Sequence, residues 1–384
     1  MTDWKAIEDQ YEALTYARWP VVFERGEGIH LFDESGKRYI DLYGGHCVSI
    51  LGHSPTRVTE AVYAQAKQLP FYSNVVYHPS RAKAAKTLVD MADGFDRVFF
   101  CNSGTEANEN AIKLAWQFTG KTHMLSTTGG WHGRTLASIS VTHTEKMRKP
   151  VQFALPDVTF VPFGDADALQ AVLESRDDVA GLILEPIQSI SGCVMADAGY
   201  YQRIRELCDE HGVVLIFDEI QTGVGRTGTF SISEGFGMRP DLITLAKSLG
   251  AGFPIGAVLM PERIASTLRN GDLGSTFAGG MMAMAACEAT LNEISEHNLM
   301  SNAPRLFDAL RVALADAPIE LRGKGALIGL KLPKPAKDVV TELFHRGWIT
   351  GTSDDPHVMR LMPPLITPPF ILTDFAKELL DVLQ

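Results

Sequence analysis

Three observations predict an α/β fold on a mostly parallel sheet. Short apolar runs alternate with stretches of helical periodicity, glycine clusters follow several of those runs, and 384 residues suffice for a large core plus a smaller unit. Strands buried on both faces read as continuous apolar runs, and residues 179–184, 213–217, 242–245 and 255–260 have that character. Helical segments such as 198–210 separate them. Ligands of such a sheet gather beyond the carboxyl ends of its strands.

From the amino terminus, a helix is expected at 3–14, then short strands within 29–42 around a turn at Asp33-Glu34-Ser35-Gly36-Lys37. Helices follow at 57–68 and 81–91. The apolar run 97–101 leads through Asn102-Ser103-Gly104-Thr105 into a helix whose inward stripe is Ala107, Ala111, Leu114, Ala115 and Phe118, ending before Gly120. A long helix is expected around 279–299. Beyond about residue 290 the composition shifts to a second unit, with helices near 302–314 and 336–347 and strands near 325–331 and 358–361. The proline-rich stretch Met362 to Pro369 reads as a rigid surface or active-site loop.

Composition narrows the function classes. Asp and Glu number 46 against 35 Lys and Arg, a net charge of −11, which argues against a nucleic-acid partner. Cys47, Cys101, Cys193, Cys208 and Cys287 are scattered and odd in number, without metal-ligand spacing, so neither a disulfide framework nor a metal site is expected. The first residues lack a basic segment followed by an apolar one, and no apolar stretch reaches membrane-spanning length. A soluble, cytoplasmic protein without a membrane partner is the expectation.

Several residues stand where chemistry is done. Ser103-Gly104-Thr105 lies between a strand and a helix, where amides and hydroxyls hold a phosphate at the positive helix end; a helix cap with a glycine turn accounts for the same residues without a ligand. Asp218 ends the run 213–217, with Glu219 and Gln221 just beyond. A carboxylate there suits a protonated heterocyclic nitrogen, a cap or a buried ion pair. Lys247 leaves the strand 242–245 into glycine-rich surroundings, where a primary amine can form a Schiff base and move a proton, or simply be solvated. Trp131-His132-Gly133-Arg134 offers a stacking face and a guanidinium, although Trp131 serves equally as core. His132, with no spaced ligand partners, reads as a loop or supporting residue. Arg360 in an apolar strand calls for a carboxylate, from a ligand or from a structural ion pair. Gly223-Val224-Gly225-Arg226-Thr227-Gly228 matches the dinucleotide glycine pattern in letters alone, because no helix opens after it and Asp241 lies too near to read a ribose.

Asp218-Glu219-Ile220-Gln221-Thr222-Gly223, Lys247 and Gly274-Ser275-Thr276-Phe277, in order with Ser103-Gly104-Thr105, Trp131-His132-Gly133-Arg134 and Arg360, resemble the class III, ornithine-type and acetylornithine-type pyridoxal-phosphate aminotransferases over nearly the whole chain. The resemblance implies a fold-type I transferase. Residues 51–289 would form the large domain that binds pyridoxal 5′-phosphate. Residues 1–50, with the connection, and residues 290–384 would form a small α+β domain. It implies a homodimer with shared active sites. Lys247 would carry the cofactor, Asp218 would face its pyridine nitrogen, and Gln221 its phenolic oxygen. Ser103, Gly104 and Thr105 would cradle the phosphate, with Thr276 reaching the neighbouring subunit's phosphate. Trp131 and Ile220 would cover the two ring faces, Arg360 would hold the substrate α-carboxylate, and Arg134 would assist.

The implied reaction is transfer of an amino group from acetylornithine, a related acylated diamino acid or another amino donor to a 2-oxo acid such as 2-oxoglutarate, by ping-pong chemistry. A mutase or decarboxylase of the same fold is the alternative, because Lys247 and Asp218 do not by themselves select transamination; a noncatalytic binding protein is a more distant one. One departure bears on the donor. After Glu185-Pro186-Ile187-Gln188, Ser189-Ile190-Ser191-Gly192 stands where many relatives have Gly-Glu, so Ile190 occupies the place of a glutamate that neutralises the arginine. A displaced acid would be needed to replace it.

Overall fold

Seven strands form the central sheet of the computed structural model, which describes residues 2–384. Across the sheet they run Arg97–Cys101, Gly256–Met260, Leu242–Leu245, Val214–Asp218, Val179–Leu184, His123–Thr127 and Val158–Val161. Gly256–Met260 is antiparallel to both neighbours and the other pairings are parallel, so the expected mostly parallel sheet is present with one reversed strand.

Both faces of this sheet are covered, which is why its strands lack polar alternation. Val214 and Ile216 enter the core on one side while Leu215 and Phe217 enter the core on the other, all fully buried or nearly so. Gly104–Thr119 lies on the first face through Ala107, Ala111, Ile112, Leu114 and Ala115, whose small side chains bring the helix close. It begins where Ser103 Oγ accepts from the Glu106 amide at 3.2 Å and ends at Gly120, held at φ 69°. Ala198–His211 supplies Tyr201, Ile204 and Leu207 to the opposite core.

Two sheet strands escape the sequence pattern. His123–Thr127 ends in polar residues, yet every residue in it is buried: Ser126 Oγ donates to the Val141 carbonyl at 2.6 Å, and Thr127 Oγ1 accepts from Gln188 Nε2 at 3.0 Å. Val158–Val161 is a short outer strand. The terminal helix Pro369–Leu383, absent from the sequence reading, buries Leu372, Phe375 and Leu379.

The chain ends meet in one small sheet. Phe23–Glu27, His30–Asp33 and Arg38–Asp41 form an antiparallel meander, and Trp348–Ile349 joins it parallel to Arg38–Asp41. A second four-stranded sheet, Glu320–Lys324, Leu327–Lys331, Val358–Leu361 and Gly351–Thr352, carries Arg360. The 362–369 stretch corrects the expectation of a surface loop, because Met362 through Leu365 are buried. The Met362 amide donates to the Leu42 carbonyl at 2.7 Å and that of Leu365 to Ile50 at 2.8 Å, while the intervening prolines bring no N–H needing a partner. Five free, buried cysteines lie within the fold. Among the described residues no helix is long and apolar enough to cross a membrane.

Gly256 opens the antiparallel strand under the Ser103 carbonyl, and a Cβ there would run into that oxygen and lie 2.7 Å from Cys101 Sγ. Gly256→Ala should lower the unfolding free energy by about 1–3 kcal/mol in urea denaturation. An unchanged midpoint would show that this approach has slack.

Candidate active site

Residues at or just past five parallel strand ends converge on a cavity of about 360 Å³, within the roughly 300–1,000 Å³ typical of small-molecule sites. Its wall includes Ser103, Gly104, Thr105, Trp131, Asp218, Ile220, Gln221 and Lys247. The sequence singles out these residues in four separate segments.

The Gly104–Thr119 helix presents its amino-terminal end to this space. Ser103 Oγ is occupied as the helix cap, and Thr105 Oγ1 bonds the Thr135 hydroxyl at 2.7 Å and that of Ser138 at 2.5 Å. Among the described residues the Gly104 and Thr105 amides keep no protein acceptor. Cap and anion site are therefore both realised here, the first by the hydroxyl and the second by the amides. Gly104 lies close against Ile220, where a Cβ would come within 2.6 Å of Ile220 Cδ1 and make that side chain shift.

Asp218 is 4% exposed at the end of the central strand. Its Oδ2 accepts from Asn108 Nδ2 and pairs with His132 Nδ1, both at 2.8 Å, and its Oδ1 accepts from the Ile220 amide at 3.1 Å. Thr244 Oγ1 donates to Asn108 Oδ1 at 2.7 Å, which fixes the amide with its Nδ2 toward Asp218. Neighbouring Glu219 does not line the cavity; it accepts from the Ile232 amide at 3.0 Å and from the Ser231 hydroxyl, stapling the following loop.

Lys247 starts a short helical turn with its backbone at φ 42°, a left-handed conformation that costs a non-glycine residue on the order of 1 kcal/mol or more. The turn is tied down by the Leu249 amide to the Ala246 carbonyl at 2.9 Å and by Ser248 Oγ to the Cys47 carbonyl at 3.1 Å. Part of the side chain is open to the cavity, while enclosure of its amine holds the ammonium pKa below the ordinary lysine range. Glu185, which sequence reasoning noted only as part of a motif, also faces the cavity. It accepts from the Trp131 amide at 2.8 Å, and burial, with Asp218 nearby, pushes its carboxyl up to about 7.

Arg134, Thr276 and Arg360 lie outside the cavity wall. Arg134 is exposed, its guanidinium 5.3 Å from the Trp131 ring centre. Thr276 is also exposed, on a loop anchored beside the helix end by Asn102 Nδ2 donating to Ser275 Oγ at 2.8 Å. Arg360 is 4% exposed and stands behind the wall. Its Nη1 donates to Ser189 Oγ at 3.0 Å, Nη2 to Tyr43 Oη at 2.9 Å and Nε to the Thr352 carbonyl at 2.7 Å. Among the described residues no carboxylate lies within ion-pair distance of it, so no displaced acid replaces the one missing at Ile190. Tyr43 Oη in turn contacts His46 Nδ1 at 2.8 Å; enclosure, with Lys247 and Arg360 nearby, depresses that imidazole to about 4 and keeps it neutral at neutral pH.

These groups fit a phosphorylated pyridine aldehyde. The free amides suit the phosphate, Asp218 a ring N–H, Lys247 an aldehyde, Gln221 a ring oxygen, and Trp131 with Ile220 the two faces. Fold and site together define an enzyme of the pyridoxal-phosphate type. The family model described as Aminotransferase class-III matches residues 11–383. The chain is 41% identical to an acetylornithine aminotransferase of Methanopyrus kandleri, with 100% of this chain and 99% of the relative covered, and 38% identical to one of Bacillus subtilis, with 91% and 92% covered. Among solved structures it resembles an ornithine aminotransferase from Toxoplasma gondii, described with partial occupancy of pyridoxal phosphate (TM-score 0.92, 30% identity, covering 99% of this chain and 93% of that one). It also resembles an omega transaminase from Pseudomonas jessenii (TM-score 0.92, 26% identity, 100% and 98% covered). The chain belongs to the class III aminotransferases, enzymes that transfer amino groups with pyridoxal 5′-phosphate.

Because the folded protein retains a proton on Glu185 that the unfolded chain gives up from its ordinary value of 4.5, the cost of burying this group is absent below about pH 4.5 and grows until about pH 7. Glu185→Gln should therefore gain about 2 kcal/mol of unfolding free energy over the wild type between pH 5 and pH 8, measured by urea denaturation of cofactor-free protein. A difference that stays constant across this range would contradict the assignment.

Proposed function

We propose that this aminotransferase takes its amino group from an acylated diamino acid, acetylornithine or a close analogue, and delivers it to 2-oxoglutarate in two successive half-reactions. The observation that carries the site is the convergence of Lys247, Asp218, Gln221 and the Gly104 and Thr105 amides on one cavity. The donor reading is supported by the relatives named above.

Pyridoxal phosphate, when bound, supplies an aldehyde for amine exchange and a ring that stores the electron pair left when a C–H proton departs. Lys247 Nζ would be the amine that engages the aldehyde, and once free it would take the proton from the carbon bearing the donor amine and return one in the later step. A depressed ammonium pKa favours this role by keeping more free amine near neutral pH. The Asp218 carboxylate holds a proton on the ring nitrogen, and the network around it prevents its rotation. The Gly104 and Thr105 amides and the Ser103 turn keep the phosphate in register, Gln221 donates to the ring oxygen, and Trp131 and Ile220 exclude water from the ring faces. Arg360 holds the carboxylate of the 2-oxo acid, with Arg134 at the rim.

A second donor class is favoured by the neutral surroundings of Arg360: an amino acid whose carboxylate adjoins the reacting amine can use this arginine in both half-reactions. We also assign residues 51–289 to the cofactor domain and residues 1–50 with 290–384 to the small domain, a division supported by the pairing of Trp348–Ile349 with Arg38–Asp41. A homodimer, with Thr276 turned to the neighbouring subunit's phosphate, is supported by exposed Tyr72, Val75, Tyr77 and Phe277 around that loop. Free thiols at all five cysteines fit a cytoplasmic setting.

The test is glutamate formation from 2-oxoglutarate with acetylornithine, succinylornithine, ornithine, 4-aminobutyrate, simple amines and common α-amino acids. The acylated diamino acids should give the highest kcat/KM; a preference for α-amino acids moves the second class ahead, and carbon dioxide release without glutamate contradicts both. Arg360→Ala should lower kcat/KM for 2-oxoglutarate on the order of 100-fold, chiefly through KM. Unchanged saturation would remove Arg360 from carboxylate binding.

A further inference from the structure

Ser189 is fully buried between two groups that the proposed function uses separately. On one side Arg360 Nη1 donates to its hydroxyl at 3.0 Å; on the other, that hydroxyl lies 3.0 Å from Gln221 Oε1. A guanidinium can only donate, so Ser189 Oγ accepts from Arg360, which leaves its proton free for Gln221 Oε1. In this arrangement the oxygen end of the Gln221 amide faces Ser189. Oε1 is held by Ser189, and Nε2, with no protein acceptor among the described residues, is left for the cavity that Gln221 lines.

Two further Arg360 donors, on the Thr352 carbonyl and the Tyr43 hydroxyl, are also met by neutral oxygens. Among the described residues no carboxylate pairs with the guanidinium, and its charge polarises the Ser189 hydroxyl toward Gln221. Apolar or smaller side chains at position 189 would break both contacts, leaving one buried guanidinium hydrogen without a partner and the glutamine amide free to turn.

We infer that Ser189 is a positioning residue that couples the carboxylate-reading Arg360 to the Gln221 amide, fixing that amide as a hydrogen-bond donor to the cofactor's ring oxygen. The inference rests on the proposed placement of Gln221 at the ring oxygen and of Arg360 at the substrate carboxylate. It adds a residue whose effect travels through Gln221 rather than through contact with the cofactor.

The test is a double-mutant cycle on cofactor-loaded protein, comparing wild type, Ser189→Ala, Gln221→Ala and the pair. One readout is the midpoint of the pH-dependent absorbance of the bound cofactor, and the other is calorimetric binding of glutarate, a dicarboxylate that cannot react. A donor on the ring oxygen favours the deprotonated form, so Ser189→Ala should raise the midpoint by about 0.5–1 pH unit. It should also weaken glutarate several-fold. With Gln221 already replaced, Ser189→Ala should leave the midpoint unmoved while still weakening glutarate, because Arg360 has lost its contact either way. A midpoint unchanged in Ser189→Ala, or a full shift persisting in the Gln221→Ala background, overturns the coupling. If Gln221→Ala alone leaves the midpoint unchanged, the placement of Gln221 fails and the coupling fails with it; if Arg360→Ala leaves glutarate binding unchanged, it is the carboxylate role that fails.

Discussion

Everything at this site depends on keeping an amine and two carboxyl groups out of water at the edge of one sheet. Lys247, Asp218 and Glu185 occupy the ends or near ends of adjacent parallel strands, where the chain leaves the sheet and side chains meet across strand spacing. Desolvation penalises each charge singly. The fold offsets that penalty unevenly: Asp218 receives Asn108, His132 and a backbone amide, Glu185 retains its proton over a wider pH range, and Lys247 sits close to both acids. The strained backbone at Lys247 persists because the turn around it is fixed from both sides.

A second constraint lies behind the cavity wall. Arg360 comes from the small carboxyl-terminal sheet, Tyr43 from the amino-terminal part and Ser189 from the turn after Val179–Leu184, so three distant segments meet at one guanidinium. Nearby Ile190 brings no charge to this cluster, and its carbonyl accepts from the Asp354 amide at 2.8 Å. Under the proposed function, this arginine would meet an external carboxylate without first releasing an internal one.

The sequence made strands legible where they are buried on both faces: the runs 179–184 and 242–245 coincide with strands of the central sheet, and 358–361 with one of the small carboxyl-terminal sheet. It concealed His123–Thr127, whose polar residues find partners that no local pattern reveals. The same division holds for the site. Asp218 and Lys247 were visible because each ends an apolar run. Asn108 supports Asp218 across 110 residues of chain, and Tyr43 meets Arg360 across 317, so neither link leaves a local trace. An asparagine inside the alanine stripe of the Gly104–Thr119 helix was the one available signal for the first. His132 was read as a supporting residue, and its ring contact with Asp218 gives that reading its geometry.

The central claim is that Lys247, alone among the lysines, is the amine that engages the cofactor. Borohydride reduction of the loaded enzyme followed by peptide mass spectrometry tests it directly. The account predicts the phosphopyridoxyl mass on the peptide containing Lys247 and on no other. Stable labelling of a different lysine, or no labelling of an enzyme that holds stoichiometric cofactor, would contradict it.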